Sequence, residues 1–203
     1  MTGVAGVSRN PGAVDSTAPS ESETNSPLGI GVVLWLASEV MFFAGLFAAY
    51  FSLLAENSET WPPDGVHLDV ARMAFFTSVL IVSSITMHFS VKAAEDGHRG
   101  RALGLLVATI ALGAAFLVNV GLEYAEFDWD WTSHAYGTIF FMLTGFHALH
   151  VAAGLVLLAM VAWIVFSRHS QLPSAHSLRV TSYYWHFVDV VWVAVFIVVY
   201  VIQ

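Results

Sequence analysis

Five stretches of this chain stay apolar for about 20 residues or more, the length an α-helix needs to cross a bilayer. They run from about Leu28 to Leu54, Arg72 to Val91, Ala102 to Leu122, Ala135 to Phe166 and Thr181 to Ile202. The fourth is long enough to tilt or to project beyond the bilayer. The expected fold is therefore all-α: a polytopic membrane protein built as a bundle of five transmembrane helices. Composition agrees, with 57% of the chain hydrophobic and 11% charged, against about 45–50% and about 25% in an ordinary soluble domain. No internal repeat links the stretches, which weighs against an inverted-repeat transporter.

Residues 1–27 differ in kind from the rest of the chain. They are rich in Ser, Pro, Gly, Thr and acids and contain no apolar run, so they read as a disordered tail. They lack the hydrophobic core of a secretory signal. Ser26-Pro27 reads as an N-cap followed by Pro at the first helical position. The transmembrane domain is then 28–203.

The links orient the bundle. Lys92, Arg99 and Arg101 lie between the second and third stretches, Arg168 and Arg179 between the fourth and fifth, and Arg9 in the tail. The other two links are acidic: Glu56, Glu59, Asp64 and Asp69, then Glu123, Glu126, Asp128 and Asp130. Of the cations only Arg72 borders that side. The positive-inside rule places the N-terminus in the cytoplasm and the C-terminus outside. Trp61, Trp129 and Trp131 in the outer links suit a membrane interface. With seven Lys and Arg in all and a net charge of −8, there is no basic patch, and nucleic acid is not an expected partner. The absence of cysteine removes thiolate chemistry and Cys-based metal sites.

The informative residues are the polar ones inside the spans, because a charge at mid-bilayer costs roughly 2.5–3.5 kcal/mol on insertion scales. Glu39 lies about three turns into the first span. It is either a proton-handling or partner-contacting carboxyl, or a neutral acid bonded to a neighbouring helix. His147 and His150, three apart, share one helix face. A shared metal is one reading; two histidines satisfied by neighbouring helices is the other, since a metal needs more ligands than this pair. His186 and Asp189 repeat the spacing between Trp185 and Trp192, and read as part of a buried network that ties helices together. Asn119 and Glu123 are expected at the interface or capped by neighbours, and His88 at the interface or in such a network. His67, His98, His134, His169 and His176 fall in or beside links and read as solvated. Arg72, Arg168 and Arg179 are placed to meet lipid headgroups, as snorkelling cations near helix ends do. Ala44 with Ala48, and Ala148 with Ala152, have the spacing of close helix contacts.

Three segments, "SEVMFFAGLFAAYF" (38–51), "YGTIFFMLTGFHALHV" (136–151) and "YYWHFVDVVWVAVFIVVY" (183–200), resemble subunit III of cytochrome c oxidase in content, order and placement. The resemblance covers about Leu28 to Gln203 and looks like the five-helix bacterial form of the family, which lacks two front helices present in longer members. It implies a non-catalytic subunit of a proton-pumping terminal oxidase that reduces oxygen to water. Haem A and copper are then expected in subunits I and II, with no cofactor on this chain. It also implies packing against subunit I, bound structural phospholipids, support of proton uptake, and a bacterial cell membrane location. Glu39 matches the family's buried carboxyl, His147 and His150 its paired histidines, and His186 and Asp189 its Trp-His-Phe-x-Asp motif; the family assigns them no redox chemistry. Association with other respiratory complexes is left open. The equivalent subunit of a quinol-oxidising haem–copper oxidase is the nearest alternative, although Glu39 favours the cytochrome c branch. A small proton-coupled transporter and a di-iron hydroxylase are more remote, for want of a substrate site and of clustered histidine boxes.

Overall fold

A computed structural model describes residues 27–63, 65–166 and 175–202. Among these residues every long regular element is a helix: α1 (Pro27–Glu56), α2 (Val70–Glu95), α3 (Arg99–Glu126), α4 (Ala135–Phe166) and α5 (Ala175–Phe196), which continues as a π-helical segment, Ile197–Ile202. One short 3₁₀ turn, Ser58–Thr60, follows α1. All five helices are long and apolar enough to cross a membrane. α4 coincides with its apolar stretch, the other four helices start ahead of theirs, and the fifth stretch is completed by the π-helical segment. With about 1.5 Å of rise per residue, the 30-residue α1 and 32-residue α4 outreach a hydrocarbon core of about 30 Å. Ser26 and Arg168 lie outside the described residues, as does the tail ahead of Ser26.

Local chemistry sets where the helices begin and end. The Asp69 carboxylate accepts from the backbone N–H of Arg72 at 2.9 Å and caps α2, supplying one of the orphan first-turn donors with an acceptor. Gly97, at φ +77°, ends α2. Its N–H reaches Ala94 O at 3.1 Å, and that of His98 reaches Ala93 O at 2.8 Å. This is the paired closure that a left-handed residue allows. α3 starts two residues later, so α2 and α3 form a tight antiparallel hairpin. Ser90 Oγ donates to Ala102 O at 2.8 Å, and the Thr86 and Thr109 hydroxyls meet at 2.8 Å across it. At the head of α4 the Gly137 N–H donates to Nδ1 of His134 at 2.7 Å. His134 is thus a half-buried cap, with its ring 5.4 Å from that of Trp129, and not the solvated side chain its place in a link predicts.

α5 is the centre of the bundle. It packs on α2 and α4, α2 pairs with α3, and α3 with α4. Half of the apolar stretch of α5 is buried (50%), compared with 6% for α1, which leans on α4 and more lightly on α5. Close helix approach occurs at glycines that the alanine spacings do not mark. Trp185, fully buried, fits between Gly113 of α3 and Gly154 of α4. A Cβ added at Gly113 would stand 2.6 Å from the indole, and one at Gly154 3.0 Å from it. Ala44 and Ala48 lie exposed on the outer face of α1. Of the three link tryptophans Trp131 stands exposed, whereas Trp61 packs on Tyr50 and Tyr136, and Trp129 stacks on Phe127.

Candidate functional site

Most polar side chains inside the spans pair off along helix seams. His147 does not: both its ring nitrogens are buried with no hydrogen-bond partner among the described residues, against the expectation that neighbouring helices satisfy both histidines. The first seam joins α5 to α2. Residues 185, 189 and 192 are four and three apart, so they share one face of α5. Trp185 Nε1 donates to Ser83 Oγ at 3.0 Å, and Trp192 Nε1 to Thr77 Oγ1 at 3.0 Å. Between these two bonds, Ser84 donates its hydroxyl proton to Asp189 and lies 2.8 Å from Nδ1 of His186. A hydroxyl carries a single proton. With that proton on Asp189, the contact to His186 needs the imidazole proton on Nδ1. His186 and Asp189 thus meet through one serine of α2, and the two indoles on either side lock the register.

The second seam joins α4 to α1 and separates the paired histidines. His150 Nδ1 lies 2.7 Å from Phe146 O, one turn back on its own helix, and Nε2 lies 3.0 Å from Oε2 of Glu39. A carbonyl only accepts, so the proton on Nδ1 is fixed. A second proton is then shared between Nε2 and the Glu39 carboxyl. Tyr184 of α5 donates to His150 O at 3.0 Å and stacks on Trp35 of α1 at 5.1 Å; three helices meet here. His147 points elsewhere. It is fully buried against Trp192, ring centroids 4.7 Å apart, with Phe116 at 6.2 Å. The shared-metal reading needs both rings to converge, and they diverge to different helices. Among the described residues no three His, Asp or Glu side chains gather as a metal-ligand group.

The third seam lies at the acidic end of the bundle. Asn119 and Glu123, one turn apart on α3, are buried and capped by neighbours. Arg72 Nε donates to Asn119 Oδ1 at 2.7 Å, and an Arg72 Nη bonds Glu126 at 2.5 Å. Tyr200, carried on the π-helical segment, donates to Glu123 Oε2 at 3.1 Å. Tyr124 and Thr144 join α3 to α4 at 2.7 Å. Arg72 thus directs its guanidinium onto α3. Arg179, at the opposite end, bonds Glu95 of α2 at 2.5 Å. His88 is exposed near the C-terminal end of α2. The partners Ser83, Ser84, Thr77 and Tyr200 were missed from sequence. Their one signal is a hydroxyl in an apolar run, which many buried hydroxyls satisfy by back-bonding to their own helix.

Residues 18–203 match the family model described as cytochrome c oxidase subunit III. A protein of Mycobacterium tuberculosis named probable cytochrome c oxidase subunit 3 is 40% identical over 211 aligned positions, covering 100% of both chains. One of Corynebacterium diphtheriae, named cytochrome c oxidase subunit 3, is 41% identical over 95% of this chain and 98% of its own. The protein of that name from Dugong dugon is 38% identical over 85% of this chain and 69% of its own length.

Proposed function

The chain belongs to the cytochrome c oxidase subunit III family, and from that premise we propose that it serves a proton-pumping terminal oxidase as a non-catalytic membrane subunit. Haem A and copper belong to subunits I and II in this reading. The chain stabilises subunit I, holds phospholipids and supports proton uptake, in the cell membrane of a bacterium with its N-terminus inside. Residues 1–27 form a cytoplasmic tail ahead of the transmembrane domain.

The observation that carries the reading, beside the family, is how the intramembrane polar groups are used. Glu39 bonds His150, His186 and Asp189 share Ser84, and Glu123 bonds Tyr200. Each joins one helix to another. Lipid is as apolar as the helices, so hydrophobicity cannot choose among helix arrangements, and such ties can. A shape-defining subunit needs this; a redox centre needs ligands converging on one point.

The test is an affinity purification of this chain from mild-detergent membranes, with a visible spectrum and turnover on reduced cytochrome c. Haem A bands and oxygen consumption are the expected result. A colourless lone chain, from a preparation in which the oxidase is shown to survive the detergent, overturns the reading. Turnover with quinol and none with cytochrome c reassigns the donor.

A further inference from the structure

A cleft of about 370 Å³ opens between the last turns of α2 and the first turns of α5. Its walls carry His88, Lys92 and Glu95 from α2, and Arg179, Tyr183 and His186 from α5. From Arg179 to His186 is seven residues, so the cleft runs about 10 Å along the helix axis, from the end of the bundle towards the buried seam. Glu95 is paired to Arg179. Lys92 takes part in none of the ion pairs formed among the described residues, and the residue is exposed. The exposed ring of His88 can add a donor. The cleft is therefore a polar notch with surplus positive charge at one end of an apolar bundle. Phe89, edge-on to the His88 ring at 5.9 Å, and Tyr183 leave about half their surface uncovered (48% and 54%). The notch thus has an apolar rim beside cationic walls.

We propose that this cleft holds the phosphate of an anionic phospholipid of the inner leaflet. The phosphate is met by Lys92, with His88 and Arg179 beside it, and the acyl chains leave over Phe89 and Tyr183. The site is cationic at headgroup depth and greasy at its mouth, which a diacyl phosphate satisfies at both ends. A carboxylate from another subunit would satisfy only the first. The inference rests on the membrane orientation and subunit reading above, and it assigns a specific site where that reading names only lipids in general.

The experiment uses the intact oxidase purified through this chain, as wild type, Lys92→Gln, Lys92→Arg and Arg101→Gln. Arg101 is an exposed cation in the first turn of α3, outside the cleft. After prolonged detergent washing, mass spectrometry counts phospholipid per haem A. Wild type, Lys92→Arg and Arg101→Gln are expected to retain one more anionic phospholipid per complex than Lys92→Gln. Micelles containing phosphatidylglycerol restore binding to the stripped wild type, and millimolar inorganic phosphate does not. Three results overturn the proposal: equal lipid counts in wild type and Lys92→Gln, retention of phosphate without acyl chains, or zero-length crosslinking of Lys92 to a carboxylate of another subunit. Where Lys92→Gln lowers the yield of complex, that crosslink is sought in the wild type. A wild-type chain that purifies without haem A breaks the oxidase reading instead, and the lipid count is then taken per chain.

Discussion

α5 and α1 are equally apolar to the eye and are held in different ways. α5 lies inside the bundle and carries donors or acceptors to three other helices: Trp185, His186, Asp189 and Trp192 to α2, Tyr184 to α4, and Tyr200, on its π-helical extension, to α3. α1 lies outside, tied through the Glu39–His150 contact and a few ring contacts, one stacked and two edge-on. Apolar length decides that both helices enter the membrane. It does not decide which becomes the core. That choice falls to shape, here one indole between two glycines, and to polar side chains that hydrocarbon cannot satisfy.

The largest expected effect is therefore at Trp185. Replacing a buried aromatic by Ala costs about 3–5 kcal/mol in well-packed interiors, and Trp185→Ala should lower the apparent Tm of the purified complex and shed this subunit in detergent. Trp35→Ala on α1, where the ring is 43% exposed, should cost a minor fraction of that. Equal losses would break the contrast between the two helices. Next in size is Gly113→Ala. Its new methyl would stand 2.6 Å from the Trp185 ring, and overpacking of this kind costs about 1–3 kcal/mol. Gly45→Ala on α1 meets nothing within 4 Å and should leave the melting profile unchanged.

These two sites show where sequence reading stops. The five helices follow from apolar length, because the requirement is one of distance across a bilayer. Glu39, His147, His150, His186 and Asp189 stand out because polar groups in hydrocarbon are costly, whatever they touch. What they touch is a matter of register between segments far apart in the chain: Ser84 is 102 residues from His186, and Glu39 is 111 from His150. Periodicity along one helix carries no information about the rotation of the next. Gly113 and Gly154 were unreadable for the same reason. A glycine in a membrane helix is common, and only the partner indole gives it meaning. Ala44 and Ala48 had the right spacing on a face that meets no helix.

Smaller effects come from the polar ties, since a hydrogen bond between membrane helices is worth on average about 0.6 kcal/mol and at most about 1.7. Ser84→Ala removes the shared partner of His186 and Asp189 and leaves a carboxyl facing an apolar wall, so it belongs near the upper value. Glu39→Ala and His150→Ala, combined in a double-mutant cycle, should give a coupling nearer the lower value, because the pair sits at the edge. Both are read by subunit retention against detergent concentration. Replacing His186 or Asp189 should loosen assembly in the same way. Loss of haem bands from a complex that stays intact would contradict the structural role given to the seam. A coupling at Glu39–His150 larger than the effect of Ser84→Ala would reverse the ranking of α1 and α5.

The smallest effect is the control for the whole comparison, because it places the same kind of tie in water. Asp130 lies in the link between α3 and α4. Its Oδ1 accepts from the Thr132 hydroxyl at 2.6 Å, the Thr132 N–H at 2.8 Å and the Ser133 hydroxyl at 3.1 Å. The Thr132 hydroxyl first, then its N–H and the Ser133 hydroxyl, favour the ionised carboxylate and hold its pKa below the usual value. For a carboxyl lowered in the folded state, the stabilisation is complete above the unfolded pKa of about 3.9 and is lost as pH falls through the folded value. Asp130→Ala should therefore loosen the link at neutral pH, seen as faster amide exchange at Thr132 and Ser133. The difference from wild type should close as the pH drops below about 3.9. The melting of the helices should not move in either condition, since this carboxylate is fully exposed and water replaces what it loses. A shift there as large as that of Ser84→Ala would mean that the medium around a tie matters less than its geometry, and the distinction between seam and surface would fail.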